Sequence, residues 1–385
     1  MLRFLTAGES HGESLVAIIE GLPAGLELST EAIDRELARR QKGFGRGKRM
    51  EIETDRVQII SGLRGGRTLG SPMALRIRNR DWENWKETMG PESGNIDVRA
   101  VTSPRPGHAD LPGGIKYGHK DFRNVLERAS ARETAARVAV GSVGRIILEK
   151  FGIMVVGHVL SIGGSPRHKT ALSRPQEANE AEKSPVRCID KDAEKEMIRR
   201  IEEATRAGET LGGVFEIQAF GVPVGLGSYV HWDRRLDTDL AAAIMSIPAI
   251  KGVQIGAGFE GADLPGSKVH DAISYDRPRG FFRESNRAGG IEGGVSNGEP
   301  IVLSAGMKPI PTLRSPLGSV HFLSKHKVEA AVERSDVTAV PAACVIGESM
   351  VAWVLARHFC DKFGGDSVDE MQRNYSGYQE YVRKL

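Results

Sequence analysis

Leu2-Arg-Phe-Leu-Thr-Ala-Gly-Glu-Ser-His-Gly-Glu-Ser-Leu-Val-Ala-Ile-Ile-Glu-Gly21 opens the chain, and its reading separates two fold classes. Gly8-Glu-Ser-His-Gly12 matches G-x-S-x-G, the nucleophile elbow of serine hydrolases, which needs a strand, a strained turn and then a helix under the serine. Eight residues separate Gly12 from Gly21 and Pro23 follows, which is too little room for that helix. Residues 15–20 are apolar and partly β-branched, the character of a second strand. Strands are therefore expected over 2–7 and 15–20, separated by Gly8-Glu-Ser-His-Gly12. A serine hydrolase using Ser10 is kept as the alternative.

The same test applies further along. Gly256-Ala-Gly-Phe-Glu-Gly261 matches G-x-G-x-x-G after a strand-like 253–255, but a dinucleotide site needs a helix to begin there. Leu264-Pro-Gly266 argues against that helix. Residues 163–170 approach a phosphate-binding loop, yet His168 stands where the second glycine is required. Helices are expected from Ser29 or Thr30 to about Arg40, over 122–150 as one long segment, and over 190–207, 236–246 and 339–362. Further strands are expected at 58–61, 73–77, 153–162, 213–219 and 301–305. Residues 82–97, 165–187 and the glycine-rich 252–300 read as irregular. No linker divides the chain, so the expectation is a single α+β catalytic domain over 1–365 with a polar tail at 366–385.

The 53 Lys and Arg against 50 Asp and Glu leave a net charge of +3, which does not make a nucleic-acid coat. The Arg/Gly/Phe segment at 39–49 lacks the aromatic platforms of an RNA-binding surface. Cys188, Cys344 and Cys360 are odd in number and without a CxxC pair, so they read as reduced thiols, with neither disulfide nor metal expected. The first residues are too short and polar for a signal peptide, and no run approaches the roughly 18 apolar residues of a membrane span. A cytoplasmic protein without membrane contact follows as the expectation.

Arg105-Pro-Gly-His-Ala-Asp110 carries the chemistry most plainly. Pro104, Pro106 and Gly107 keep this segment from being helical, so it presents Arg105 and His108 together on a stiff loop. Arginine can grip a carboxylate or phosphate with two hydrogen bonds, and histidine can move a proton near neutral pH. Arg40, Arg46, Arg49 and Arg334 occur in similarly defined settings. Arg128 and Arg132, four apart, are expected on one helix face. Such a set suits a small substrate with several anionic groups.

Seven segments together resemble the chorismate synthase family. They are Gly8-Glu-Ser-His-Gly12, Arg39-Arg-Gln-Lys-Gly-Phe-Gly-Arg46, Arg105-Pro-Gly-His-Ala-Asp110, Arg128-Ala-Ser-Ala-Arg-Glu-Thr134, Ile291-Glu-Gly-Gly294, Met307-Lys-Pro-Ile-Pro-Thr312 and Glu333-Arg-Ser-Asp336. They run in family order from residue 3 to about 360. One departure is Ala129, where many members carry a second serine. The resemblance implies a shikimate-pathway lyase that converts 5-enolpyruvylshikimate 3-phosphate to chorismate and phosphate, with reduced FMN required and not consumed. It implies an α+β sandwich, helices packed between antiparallel sheets, assembled as a homotetramer. By carry-over, His11 is the proton donor to the departing phosphate, His108 supports the reduced flavin, and Asp336 relays the ring proton. Arg40, Arg46, Arg49, Arg105, Arg132 and Arg334 form the substrate cage. Arg128, Ala129, Ser130, Pro248, Ala249, Gly293, Lys308, Pro309, Ile310, Pro311, Thr312 and Arg334 hold the flavin. The resemblance leaves two reductants open: NADPH directly, with Arg40 and Arg46 as candidate contacts, or an external flavin reductase.

Overall fold

β1 (Arg3–Ala7) and β2 (Ser14–Glu20) are antiparallel with Leu5 opposite Ile18, so a strand and not a helix follows Ser10. Gly8, at φ +108°, makes this turn possible: a Cβ there would sit 2.4 Å from the Ser14 carbonyl oxygen. The computed structural model describes residues 2–47, 54–92, 94–167, 172–333 and 336–385. Arg49, Arg334, His168 and Thr170 therefore lie outside the described residues.

β3 (Val57–Ile59) and β4 (Met73–Arg78) complete a first sheet in the order β1-β2-β4-β3, antiparallel throughout. Alternation decides its inner face: Leu15, Ala17, Ile19, Met73, Leu75 and Ile77 are buried. A second antiparallel sheet has the order β5-β6-β8-β7, from β5 (Met154–Ile162), β6 (Gly213–Phe220), β7 (Ile250–Ile255) and β8 (Ile301–Met307).

Helices α1 (Thr30–Gln41), α4 (Thr134–Lys150) and α7 (Val340–Phe363) fill the space between the sheets, so the fold is an α+β sandwich. α4 packs on β2 and β4, and α7 packs on β5 and β6. The two helices meet through glycine. A Cβ on Gly141 would lie 2.4 Å from the Ser349 carbonyl oxygen, and one on Gly144 would lie 3.0 Å from the Trp353 Cα. On the opposite side of α7, a Cβ on Gly347 would come 2.5 Å from Ile217 Cδ1. One helix is thus pressed against neighbours on two faces, and this explains why it is apolar all round.

α7 corrects one reading of the sequence, because it is long and apolar enough to cross a membrane. The most apolar part of the helix is 94% buried inside the fold, which makes it a core helix. Its one buried acid, Glu348, accepts hydrogen bonds of 2.7 Å from Arg39, Arg145 and Arg187. Glu36 and Glu182 add carboxylates to the same group, which ties α1, α4 and α7 together with the 182–187 segment.

Other expectations also change. The long helix read over 122–150 is broken. α3 (Arg123–Ala129) ends at Ser130, whose ψ of 142° is extended, and a 3₁₀ turn (Ala131–Glu133) precedes α4. Ser130 Oγ accepts from the Arg132 amide at 3.3 Å and caps the new turn. The dinucleotide-like stretch does begin a helix, Gly258–Ala262, but it lasts five residues before Leu264-Pro-Gly266. Within 252–300 lie the hairpins Ile273–Asp276 with Gly280–Arg283 and Ile291–Glu292 with Val295–Ser296. Short helices occupy Arg80–Asn84, Lys86–Met89 and Ala178–Lys183 in segments read as irregular. Residues read as a polar tail form α8 (Val368–Arg383), whose Val368, Met371 and Tyr375 join the core. The three cysteines are free, and burial pushes their thiols up to about 11 for Cys188 and about 12 for Cys344 and Cys360.

Candidate active site

Beyond β5 the chain forms α5 (Lys191–Ala207) and α6 (Leu236–Met245). A cavity of about 490 Å³ opens at one end of the helix layer, where the β1–β2 turn, the 105–110 loop, the α3–α4 break, the α6–β7 turn and the segment after β8 converge. His11, His108 and Asp336 line it, as do Arg40, Arg46, Arg105 and Arg132. Residues distant in sequence thus share one space.

The β1–β2 turn is held from outside the hairpin. Asn79, just past β4, donates to the carbonyls of Glu9 at 3.1 Å and Gly12 at 2.7 Å, and accepts from Arg132 Nε at 2.9 Å. Glu127 on α3 holds the turn from the other side. Its carbonyl accepts from the Ser10 amide at 3.0 Å, and its carboxylate from the His11 amide at 2.7 Å. The His11 Nδ1 lies 2.8 Å from the other carboxylate oxygen, and the Trp85 ring stacks on the imidazole with centroids 3.9 Å apart. Ser130 Oγ donates to Ser10 Oγ at 3.1 Å.

Arg40 shows how the chain delivers a charge to this place. Ile33, Leu37 and Arg40 share the buried stripe of α1, so the last position of an apolar face carries a guanidinium. It meets Asp55 at 2.8 Å, and Arg132 meets the other oxygen of the same carboxylate at 2.5 Å. Burial opposes the charge on Asp55, but the two guanidinium groups outweigh it and hold the carboxyl below its ordinary range. Arg40 Nε is buried without a hydrogen-bond partner among the described residues, a donor suited to an incoming anion.

Arg105 behaves differently from its sequence reading. Asp110, the first residue of α2 (Asp110–Tyr117), takes its Nε at 2.9 Å and its Nη2 at 3.1 Å, and Thr312 Oγ1 takes Nη1 at 2.9 Å. Its two-pronged grip is therefore on its own loop. His108 Nδ1 lies 2.6 Å from Asp110, which is held well below the usual carboxylate range because these partners outweigh its burial. Asp336 pairs with Arg46 at 3.1 Å and accepts from the Gly47 amide at 2.6 Å. Every described arginine of the expected cage thus has an aspartate beside it.

Arg128 and Arg132 do not share a face. The break at Ser130 sends Arg128 outward, where it donates to the carbonyls of Gly8 and Thr6, while Arg132 turns inward to Asp55 and Asn79. Ala129, Ser130, Pro248, Ala249, Lys308, Ile310, Pro311 and Thr312 line the cavity. Pro309 lies between two lining residues, and Arg128 and Gly293 are not among the lining residues. Gly293 turns the hairpin joining Ile291–Glu292 to Val295–Ser296. Asp55, Asn79, Trp85 and Glu127 are missed by the sequence reading. The one available signal was a glutamate a single residue before an expected binding arginine.

The cavity wall suits a flat aromatic group. Ala129, Ala131, Ala249, Ala339, Ala342 and Ala343 present short side chains, beside Pro248, Ile310 and Pro311. Ala249 has φ +69°, a left-handed backbone costing about 1–2 kcal/mol, and its carbonyl accepts from the Lys308 amide at 2.9 Å. At Gly107 a Cβ would lie 3.1 Å from Lys308 Nζ and 3.5 Å from Pro311 Cβ, so a side chain there would crowd this wall. Among the described residues, no group of three or more His, Cys, Asp or Glu could hold a metal ion.

Residues 2–360 match the family model described as chorismate synthase. The chain belongs to the chorismate synthase family. It is 60% identical over 387 residues to the chorismate synthase of Desulforudis audaxviator, covering 100% of this chain and 98% of that one. It is 57% identical to that of Desulforamulus reducens, with both chains fully covered. A solved structure titled "Crystal Structure of Chorismate Synthase" superposes with a TM-score of 0.82 at 45% identity, covering 100% of this chain and 99% of the other. Family membership and the strand after Ser10 together leave the serine hydrolase alternative without support.

Proposed function

We propose that this protein is a lyase of the shikimate pathway that converts 5-enolpyruvylshikimate 3-phosphate to chorismate and phosphate by 1,4-elimination. The observation that carries the reading is the shared cavity, in which two histidines and one aspartate stand among four arginines beside a wall of alanines and prolines. The substrate bears two carboxylates and a phosphate. Arg40, Arg46, Arg105 and Arg132 supply positive charge for them, each charged hydrogen bond contributing roughly 1.5–3 kcal/mol. Their aspartate partners keep the guanidinium groups in fixed directions before substrate arrives, which lowers the ordering cost of binding.

The reaction removes a proton from one ring carbon while the carbon–oxygen bond to phosphate breaks at another. His11 gives a proton to the departing phosphate, and Asp336 accepts the ring proton, so proton and phosphate leave with no net change in oxidation state. Ala129, Ser130, Pro248, Ala249 and the 308–312 segment would hold reduced FMN, and His108 would support it. What reduced FMN supplies when bound is transient electron density for phosphate loss, returned by the end of the cycle. NADPH, with Arg40 and Arg46 as contacts, or an external flavin reductase would keep it reduced. The enzyme acts in the cytoplasm as a homotetramer, which sedimentation of the purified protein would test.

Phosphate release tests the reading directly, with flavin absorbance followed alongside. Oxidised FMN is expected to support no release, and anaerobically reduced FMN many turnovers per flavin. Reduced 5-deaza-FMN, which handles single electrons poorly, is expected to be inactive although bound. Activity with oxidised FMN or with the 5-deaza analogue would overturn the transient-electron role, and silence under all three conditions would overturn the activity itself.

A further inference from the structure

Glu127 is 2% exposed, and both of its carboxylate oxygens contact His11. One accepts from the His11 amide at 2.7 Å and the other meets His11 Nδ1 at 2.8 Å. A single carboxylate therefore fixes the backbone and the ring of the same residue. Trp85 closes one face of the imidazole, its own position set by the Asp81 carboxylate, 3.2 Å from Trp85 Nε1, and by Arg99, 3.8 Å over its ring. Arg123 Nη1 lies 3.5 Å from the same carboxylate. A buried carboxylate accepts and does not donate when ionised, so the nitrogen facing it must carry a hydrogen.

We propose that Glu127 is the positioning residue for His11, holding the Nδ1 proton so that Nε2 is the ring nitrogen turned to the cavity and to the departing phosphate. The inference rests on the proton-donor role given to His11 above. Neutral His11 then carries its hydrogen on Nδ1, and protonation adds the transferable one on Nε2. The same carboxylate stabilises the doubly protonated ring at the moment it is needed. His108 differs, because its Nδ1 lies 2.6 Å from Asp110 and also 3.1 Å from Arg105 Nη2, a group that can only donate.

Glu127→Gln separates positioning from folding. An amide keeps one acceptor oxygen and carries no charge, so it cannot give each N–H group an oxygen of its own or balance a doubly protonated ring, while volume is unchanged. With saturating reduced FMN, kcat is expected to fall about 10- to 100-fold, part of the roughly 10²–10⁴ that a positioned acid contributes, while KM changes less than about threefold. Nitrogen-15 spectra of histidine-labelled wild-type protein, with the His11 signals assigned by their loss in His11→Gln, supply a readout that needs neither flavin nor turnover. The neutral ring is expected to be protonated on Nδ1. A neutral ring protonated on Nε2 overturns the inference even if Glu127→Gln fails to fold. Wild-type kcat in Glu127→Gln, or a loss confined to KM, overturns it as well. Failure of the lyase reading looks different, since wild-type protein would then release no phosphate while the Nδ1 signal stood unchanged.

Discussion

His11 and His108 each have a carboxylate beside Nδ1, from Glu127 and Asp110, and both line the cavity. If they act as acids there, His11→Ala and His108→Ala should each lose about 10²- to 10⁴-fold in turnover while still binding substrate. Steady-state rates with saturating reduced FMN and a titration of substrate binding check this, and near wild-type turnover in either variant would remove that histidine from the chemistry. Asp336 sits beside Arg46 and accepts from the Gly47 amide. Asp336→Asn keeps the shape but cannot take the proton, so turnover should fall while flavin still binds. If FMN and substrate affinity are lost together instead, the aspartate serves to hold Arg46. Both histidines and Asp336 were legible in short motifs. Glu127, the partner of His11, and Asp55, which joins Arg40 to Arg132, were not, because a buried carboxylate has no sequence pattern of its own.

At the scale of elements, the break at Ser130 matters most. An uninterrupted helix over 122–150 would put Arg128 and Arg132 on one face, whereas the extended Ser130 sends one outward and the other into the site. Local propensity favours helix here, but the inward turn of Arg132 to Asp55 and Asn79 is available only if the helix stops. α4 and α7 show the opposite case, where a glycine reads as weakness and proves to be contact. Gly141→Val would drive a branched side chain into the Ser349 backbone, 2.4 Å from the first added carbon. Overpacking of this kind costs about 1–3 kcal/mol or more, so urea unfolding should shift to a clearly lower midpoint. An unchanged midpoint would mean that α4 and α7 are not packed as closely as described.

For the whole molecule, stability should depend on acid in a definite direction. Glu182 is partly buried, which raises its pKa, but Arg39 and Arg187 outweigh this and hold the carboxyl down to about 2 against 4.5. Asp55, Asp110 and Glu36 are lowered in the same way. A carboxyl with a depressed folded pKa contributes stability that is present above its unfolded value and lost as pH falls through the folded one. Glu149 and Glu216, raised by burial, act in the opposite sense and are fewer. The urea midpoint should therefore drop as pH is lowered from about 5 towards 2, and Glu182→Gln should flatten part of that dependence. A midpoint that stays level over this range would contradict the ion network around Glu348.

The sequence by itself determined the two opening strands, the helix at 339–362 and most other strand and helix positions, which follow from local rules: periodicity, caps, glycine and proline. Most of the segments that meet at the cavity were legible through their resemblance to a family, beside the arginines that suit an anion. Tertiary structure alone decided that Arg105 grips Asp110, that Asp55 joins Arg40 to Arg132, and that Glu127 faces His11. It also decided that residues 368–383 dock as a helix, through Val368, Met371 and Tyr375. Each of these is a pairing that depends on packing and long-range approach, and burial, which makes such a pairing strong, is a property of the folded chain and not of any segment of it.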